Sequence, residues 1–181
     1  MYMSFKNFLL IPFLLVALFL QSCSSDDDSS NNSENTPNQS LQVEKADGSI
    51  FEDGEVVSFN EIGSEDPRDD NGVLRYFIRN VGSNPINVKI EVESIRGTDG
   101  SLFTFCVQPL CIFSVTEGVS YPNNGTTINP GQLNSEDDYF INNDPGDENT
   151  TSIEYDLRFY VEHEDGSQTD DLMITYQYIP N

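Results

Sequence analysis

The sequence predicts an all-β fold, an antiparallel two-sheet sandwich of about seven to nine short strands. Three observations predict it. Apolar and polar residues alternate along most of residues 41–181, the pattern of half-buried strands rather than helices. Clusters of Asp, Asn, Gly, Pro and Ser interrupt that alternation at short intervals, as turns do. The chain also carries 12 Phe and 8 Tyr, side chains that pack well on pleated surfaces.

The elements follow in order. Residues 41–45 and 55–60 alternate, with Asp47-Gly48 and Asp53-Gly54 as turns. In residues 73–81, Leu74, Tyr76 and Ile78 share one face and Arg75, Phe77 and Arg79 the other. After a turn over 80–85, Ile86, Val88, Ile90 and Val92 alternate with Asn87, Lys89, Glu91 and Glu93, a strand with one wet face. Thr98-Asp99-Gly100 turns the chain into a strand over 101–107, and Pro109 separates that strand from 110–116. Residues 117–124 read as loop, with a short extended piece at 126–128. Residues 135–149 hold six acids and no base around the apolar pair Phe140-Ile141, and read as an acidic connection. Two strong strands close the chain. Ile153, Tyr155, Leu157, Phe159 and Val161 point inward from the first, and Leu172, Ile174, Tyr176 and Tyr178 from the second.

The N-terminus is built differently. Lys6 precedes an apolar run over 8–20, which Leu20-Gln21-Ser22-Cys23 closes. A basic start, a short apolar core and small residues at its end make a secretory signal. The run of about 13 residues is short for a bilayer crossing, which needs about 20. Leu20-Gln21-Ser22-Cys23 resembles a bacterial lipobox. The resemblance implies removal of residues 1–22 and lipid attachment to the sulfur and new amino group of Cys23. Several acyl chains, each contributing about 0.8 kcal/mol per buried CH₂, make such an anchor effectively permanent. Beside it, Ser25, Asp26, Asp27 and Asp28 resemble the export signal of Bacteroidota-type surface lipoproteins, which implies transfer to the outer face of the outer membrane. Residues 29–40 lack the apolar side chains that offset ordering entropy. Residues 23–40 therefore read as a disordered tether, with a root-mean-square reach of roughly 20–25 Å. The folded domain is residues 41–181.

Charge narrows the partners. The net charge is −23, and loss of residues 1–22 leaves seven bases against 31 acids, a net −24. Such a chain repels nucleic acid and anionic lipid surfaces, so its expected contacts are the membrane through its anchor and a protein or glycan partner. With Cys23 lipidated, Cys106 and Cys111 are the remaining thiols, and an even pair in an exported domain forms a disulfide. The four intervening residues can fold back to bring the two Cα atoms within the usual 4.4–6.8 Å. A redox role fits poorly, because redox pairs usually have two intervening residues at a helix N-terminus.

Nothing singles out an active site. His163 is the sole histidine, set among Glu162, Glu164 and Asp165; it cannot by itself supply a zinc site or a triad without a nucleophile elbow. No two carboxylates stand out as a glycosidase-like pair. Two loops are dense in hard oxygen ligands and make calcium the one candidate cofactor: Asp66, Asp69 and Asp70 in one, Asp144, Asp147 and Glu148 in the other. Neither has EF-hand spacing. Tyr121, Tyr139 and Tyr160 are candidates for an exposed glycan-stacking or protein-contact patch.

Arg79-Asn80-Val81-Gly82-Ser83-Asn84-Pro85-Ile86-Asn87-Val88 resembles the strand join of Ig-like modules in secreted and surface proteins of the same bacteria. Phe105-Cys106, Cys111, Ile128-Asn129-Pro130-Gly131-Gln132 and the late strands extend the likeness over about 55–178. Such modules are mostly accessory or adhesive, which implies a non-catalytic binding or structural role at the outer membrane. The alternative expectation is a calcium-dependent glycan- or protein-binding module of a nutrient-uptake assembly.

Overall fold

The structure, a computed structural model, describes residues 39–64 and 71–181. Among them are ten strands and no helix: β1 (Leu41–Lys45), β2 (Glu55–Phe59), β3 (Val73–Asn80), β4 (Ile86–Arg96), β5 (Phe103–Val107), β6 (Leu110–Ile112), β7 (Val119–Ile128), β8 (Tyr139–Asn142), β9 (Ile153–Glu162) and β10 (Gln168–Tyr178). They form two five-stranded sheets, ordered β1-β3-β8-β5-β6 and β2-β10-β9-β4-β7. The sandwich is as the sequence predicts, with one strand more than the upper expectation. One pairing departs from the antiparallel expectation: β2 lies parallel to β10, with Glu55 opposite Ile174 and Phe59 opposite Tyr178.

Two further corrections fall where alternation fails. Residues 117–124, expected as loop, belong largely to β7. That strand meets β4 in two short ladders, Ile128 to Thr126 against Ile86 to Val88 and Tyr121 to Val119 against Ile90 to Val92. Between them Pro122, Asn123, Asn124 and Gly125 bulge away from β4, which breaks the period-two signal. The acidic connection at 135–149 contains β8, which lies between β3 and β5. Phe140, Ile141 and Asn142 are all buried, so this strand has no wet face to produce alternation. Ile141 is covered on the side opposite Phe140 by Gly63, where an added Cβ would stand 1.7 Å from its Cγ2.

The core is aromatic. Phe103 stacks on Tyr155 with ring centroids 3.8 Å apart, Tyr76 on Phe140 at 4.3 Å, and Phe59 on Tyr176 at 4.8 Å. Tyrosine can be buried here because each hydroxyl has a partner. Tyr76 Oη donates to the Cys106 carbonyl at 2.7 Å, Tyr155 Oη to Asn142 Oδ1 at 3.0 Å, and Tyr176 Oη to the Gly72 carbonyl at 2.7 Å. On the outer face of the second sheet, bases pair with acids across strands. Arg96 holds Glu154 and Asp156 at 2.7 and 2.5 Å, Arg158 holds Glu91 and Asp171 at 2.7 and 2.9 Å, and Lys89 holds Glu162 at 2.6 Å.

Candidate functional site

The chain enters the fold at Ser40, where Val81 and Asp170 grip it. Val81 N donates to the Ser40 carbonyl at 2.8 Å. Ser40 N and Oγ donate to Asp170 Oδ2 at 3.3 and 2.6 Å, which ties the first sheet to the second. Asp170 reaches across because β10 changes register between Thr169 and Leu172, and its φ of 57° lies in the left-handed region that Asp tolerates better than most residues. Gly82 leaves the room: a Cβ there would meet the Ser40 Cβ at 2.8 Å.

The Asn80-x-Gly82 join organises this corner. Asn80 is fully buried at the end of β3. Its Oδ1 accepts from Gly82 N at 2.9 Å, and its Nδ2 donates to the Asn84 and Ile128 carbonyls, both at 2.8 Å. A single amide thus shapes the 81–85 turn and ties it to the end of β7. Gln39, Ser40, residues 81–87 and residues 161–164 border an open, mainly polar groove of about 810 Å³. His163 sits on this rim, exposed, with Nε2 2.9 Å from Thr169 Oγ1. Its backbone closes the turn: His163 N donates to the Ser167 carbonyl and its own carbonyl accepts from Gly166 N, both at 2.9 Å.

Cys23, Ser25, Asp26, Asp27 and Asp28 lie outside the described residues, as do Asp66, Asp69 and Asp70. The other acidic loop is described. Asp144 Oδ2 accepts from Thr98 Oγ1 at 2.5 Å and Oδ1 from Gly146 N at 2.8 Å. Asp147 Oδ1 accepts from Asn149 N and Thr150 Oγ1 at 2.9 and 3.0 Å, and these bonds hold its carboxyl below the ordinary range. Glu148 is exposed. Asp144 and Asp147 therefore shape turns. Among the described residues, no group of three or more His, Cys, Asp or Glu is placed to hold a metal.

Asn142 links this loop to its surroundings. Its Nδ2 donates to the Asp144 carbonyl at 2.7 Å, its backbone N to Tyr176 Oη at 3.3 Å, and its carbonyl accepts from Gly63 N at 2.8 Å. Tyr176 also donates to Gly72, so the residues flanking 65–70 and the root of the second acidic loop meet at one buried amide.

Cys106 and Cys111 form the expected disulfide. Their Cα atoms are 4.0 Å apart, closer than expected, because they stand directly opposite in the β5–β6 ladder. Asp138, which the sequence reading did not single out, secures the intervening loop. It is fully buried and accepts from Gln108 N at 2.7 Å and Asn134 Nδ2 at 2.8 Å. Burial raises its pKa against the pull of those two donors. Its one local signal is its place directly before a buried strand.

The proposed tyrosine patch does not assemble. Tyr160 is 2 % exposed, with its ring 4.6 Å from the Arg158 guanidinium carbon and its hydroxyl donating to Ser120 Oγ. Tyr121 is half-buried, with its ring edge-on to Phe105 at 5.6 Å. Tyr139 lies on the other sheet.

No protein-family model matches the chain, and a search among curated proteins finds no match. Among solved structures, the chain is similar to the CooA pilin subunit from enterotoxigenic Escherichia coli, at 10% identity and a TM-score of 0.39, covering 78% of this chain and 99% of that one. Function is therefore read from the chain's own residues.

Proposed function

We propose that this protein is a Bacteroidota-type surface lipoprotein, anchored through Cys23 in the outer membrane. Its Ig-like sandwich serves a non-catalytic binding or structural role. The observation that carries the reading is Cys23 behind a short apolar run and ahead of Ser25, Asp26, Asp27 and Asp28. The grip on Ser40 supports it: a domain held at the end of a tether is loaded where the tether enters, and both sheets share that load through Asp170 and Val81. Growth with labelled palmitate tests the anchor. The wild-type chain incorporates label and loses residues 1–22; Cys23→Ala does neither. Label retained in Cys23→Ala would overturn the assignment.

A second reading is favoured by the meeting of both acidic loop roots at Asn142: a calcium-dependent glycan- or protein-binding module of a nutrient-uptake assembly. It requires the melting temperature to rise with millimolar calcium and fall with chelator. Indifference to both would remove it.

A further inference from the structure

One edge of the sandwich differs chemically from the rest of the molecule. The chain holds 31 acids, yet residues 100–135 contain a single charged residue, Glu117. These residues supply β5, β6 and β7, and β6 and β7 are the edge strands of their two sheets. Between them runs an open groove of about 510 Å³ with no charged residue in its lining. Leu110, Ile112, Tyr121 and Pro122 make its apolar wall, and Leu110 is 41% exposed. Asn123 and Asn124 stand exposed on its rim, at the tip of the bulge in β7.

We propose that this groove binds a neutral glycan. The proposal rests on the binding role given above and names its ligand class, but it does not depend on the lipid anchor. Three features select a glycan over a protein strand. The volume suits a small ligand, for which sites run about 300–1,000 Å³. The free edge of β7 is broken by Pro122 and the bulge, and β6 has three residues, so neither edge offers a continuous ladder to an added strand. The lining pairs an apolar wall with amides that both donate and accept, which matches a sugar's C–H face and hydroxyls. The absence of charge matches a neutral ligand, whereas the acidic remainder repels anionic ones. The bulge is also preorganised. Asn87 Nδ2 donates to the Asn124 carbonyl at 3.2 Å, and Gly125 has a φ of 68° with space for a Cβ closed by the Asn87 amide at 2.4 Å.

The test is affinity electrophoresis of the full chain in mild detergent, through gels containing mannan, β-glucan or xylan, with polygalacturonate as acidic control. At least one neutral polysaccharide retards the protein and polygalacturonate does not. Asn123→Ala/Asn124→Ala and, separately, Leu110→Ala weaken retardation by about tenfold at unchanged melting temperature. No retardation by any neutral polysaccharide, or retardation untouched in both variants, overturns the proposal. So does a dimer in sedimentation that Leu110→Asp dissociates while no polysaccharide binds, since a second copy would then occupy the groove. Cys23→Ala does not alter the assay, so failure of the anchor and failure of the site are read separately.

Discussion

Replacing Asn142 by Ala probes the joint on which the loops at one end of the sandwich depend. Asn142 is fully buried, and its amide donates to the Asp144 carbonyl and accepts from the Tyr155 hydroxyl. Losing the bond to Asp144 costs about 1 kcal/mol, and leaving the buried Tyr155 phenol without its acceptor about 1 more. The void left by the amide adds about 1 kcal/mol. The expected loss is about 3 kcal/mol, or about 10 °C in melting temperature for a domain of roughly 140 residues. Thermal and urea unfolding followed by circular dichroism measure it. Tyr155→Phe alone should cost about 1 kcal/mol, and the double variant should fall short of additivity by about that amount, because both changes break one bond. A loss below about 1 kcal/mol, or strict additivity, would refute the account of Asn142 as the joint.

Asp156 gives a pH prediction. Its hydrogen bond with Arg96 leads the causes that lower its pKa to about 2. A group depressed in the folded state stabilises above its unfolded pKa, so this contribution is complete above about pH 4 and is lost as pH falls through 2. The full linkage value is about 2.5 kcal/mol, but solvent around the pair reduces it to about 1 kcal/mol. Arg96→Met should therefore lose about 1 kcal/mol at pH 7 and flatten the acid side of the stability curve; an unchanged slope between pH 4 and 2 would contradict this. Gly63→Ala should destabilise by about 2 kcal/mol or more, because its Cβ would overlap Ile141 Cγ2 and the cover over β8 must lift; equal urea midpoints would count against it. Cys106→Ala/Cys111→Ala should lose about 2 kcal/mol, the effect of closing so short a loop on the unfolded chain, and denaturation with and without reductant should differ only in the wild type.

The strands with one wet face were legible in the sequence because burial writes a period of two into them. β3, β4, β9 and β10 alternate as their residues do, and Tyr76, Tyr155 and Tyr176 stand inside where that alternation places them. β8 was not legible, since its outer face is covered by Gly63, a contact from a residue far away in the chain. β7 was obscured by its own bulge. The parallel pairing of β2 with β10 joins segments more than a hundred residues apart and leaves no local trace. Around Ser40, the Asn80-x-Gly82 spacing was visible as a motif, but the partner of Ser40, Asp170, depends on a register shift in β10 that only the fold produces. In residues 144–148 the density of acids was legible, but the backbone and hydroxyl donors that Asp144 and Asp147 accept from come from the folded turns.

The central claim is that the domain stands outside the cell on a lipid anchor. Protease shaving of intact cells, comparing wild type with Asp26, Asp27 and Asp28 all changed to Ala, tests it most directly. The account predicts that the wild-type domain is cleaved while the triple variant, still membrane-bound, is protected. Protection of both, with the protein retained in the membrane fraction, would place the domain on the periplasmic face and contradict it.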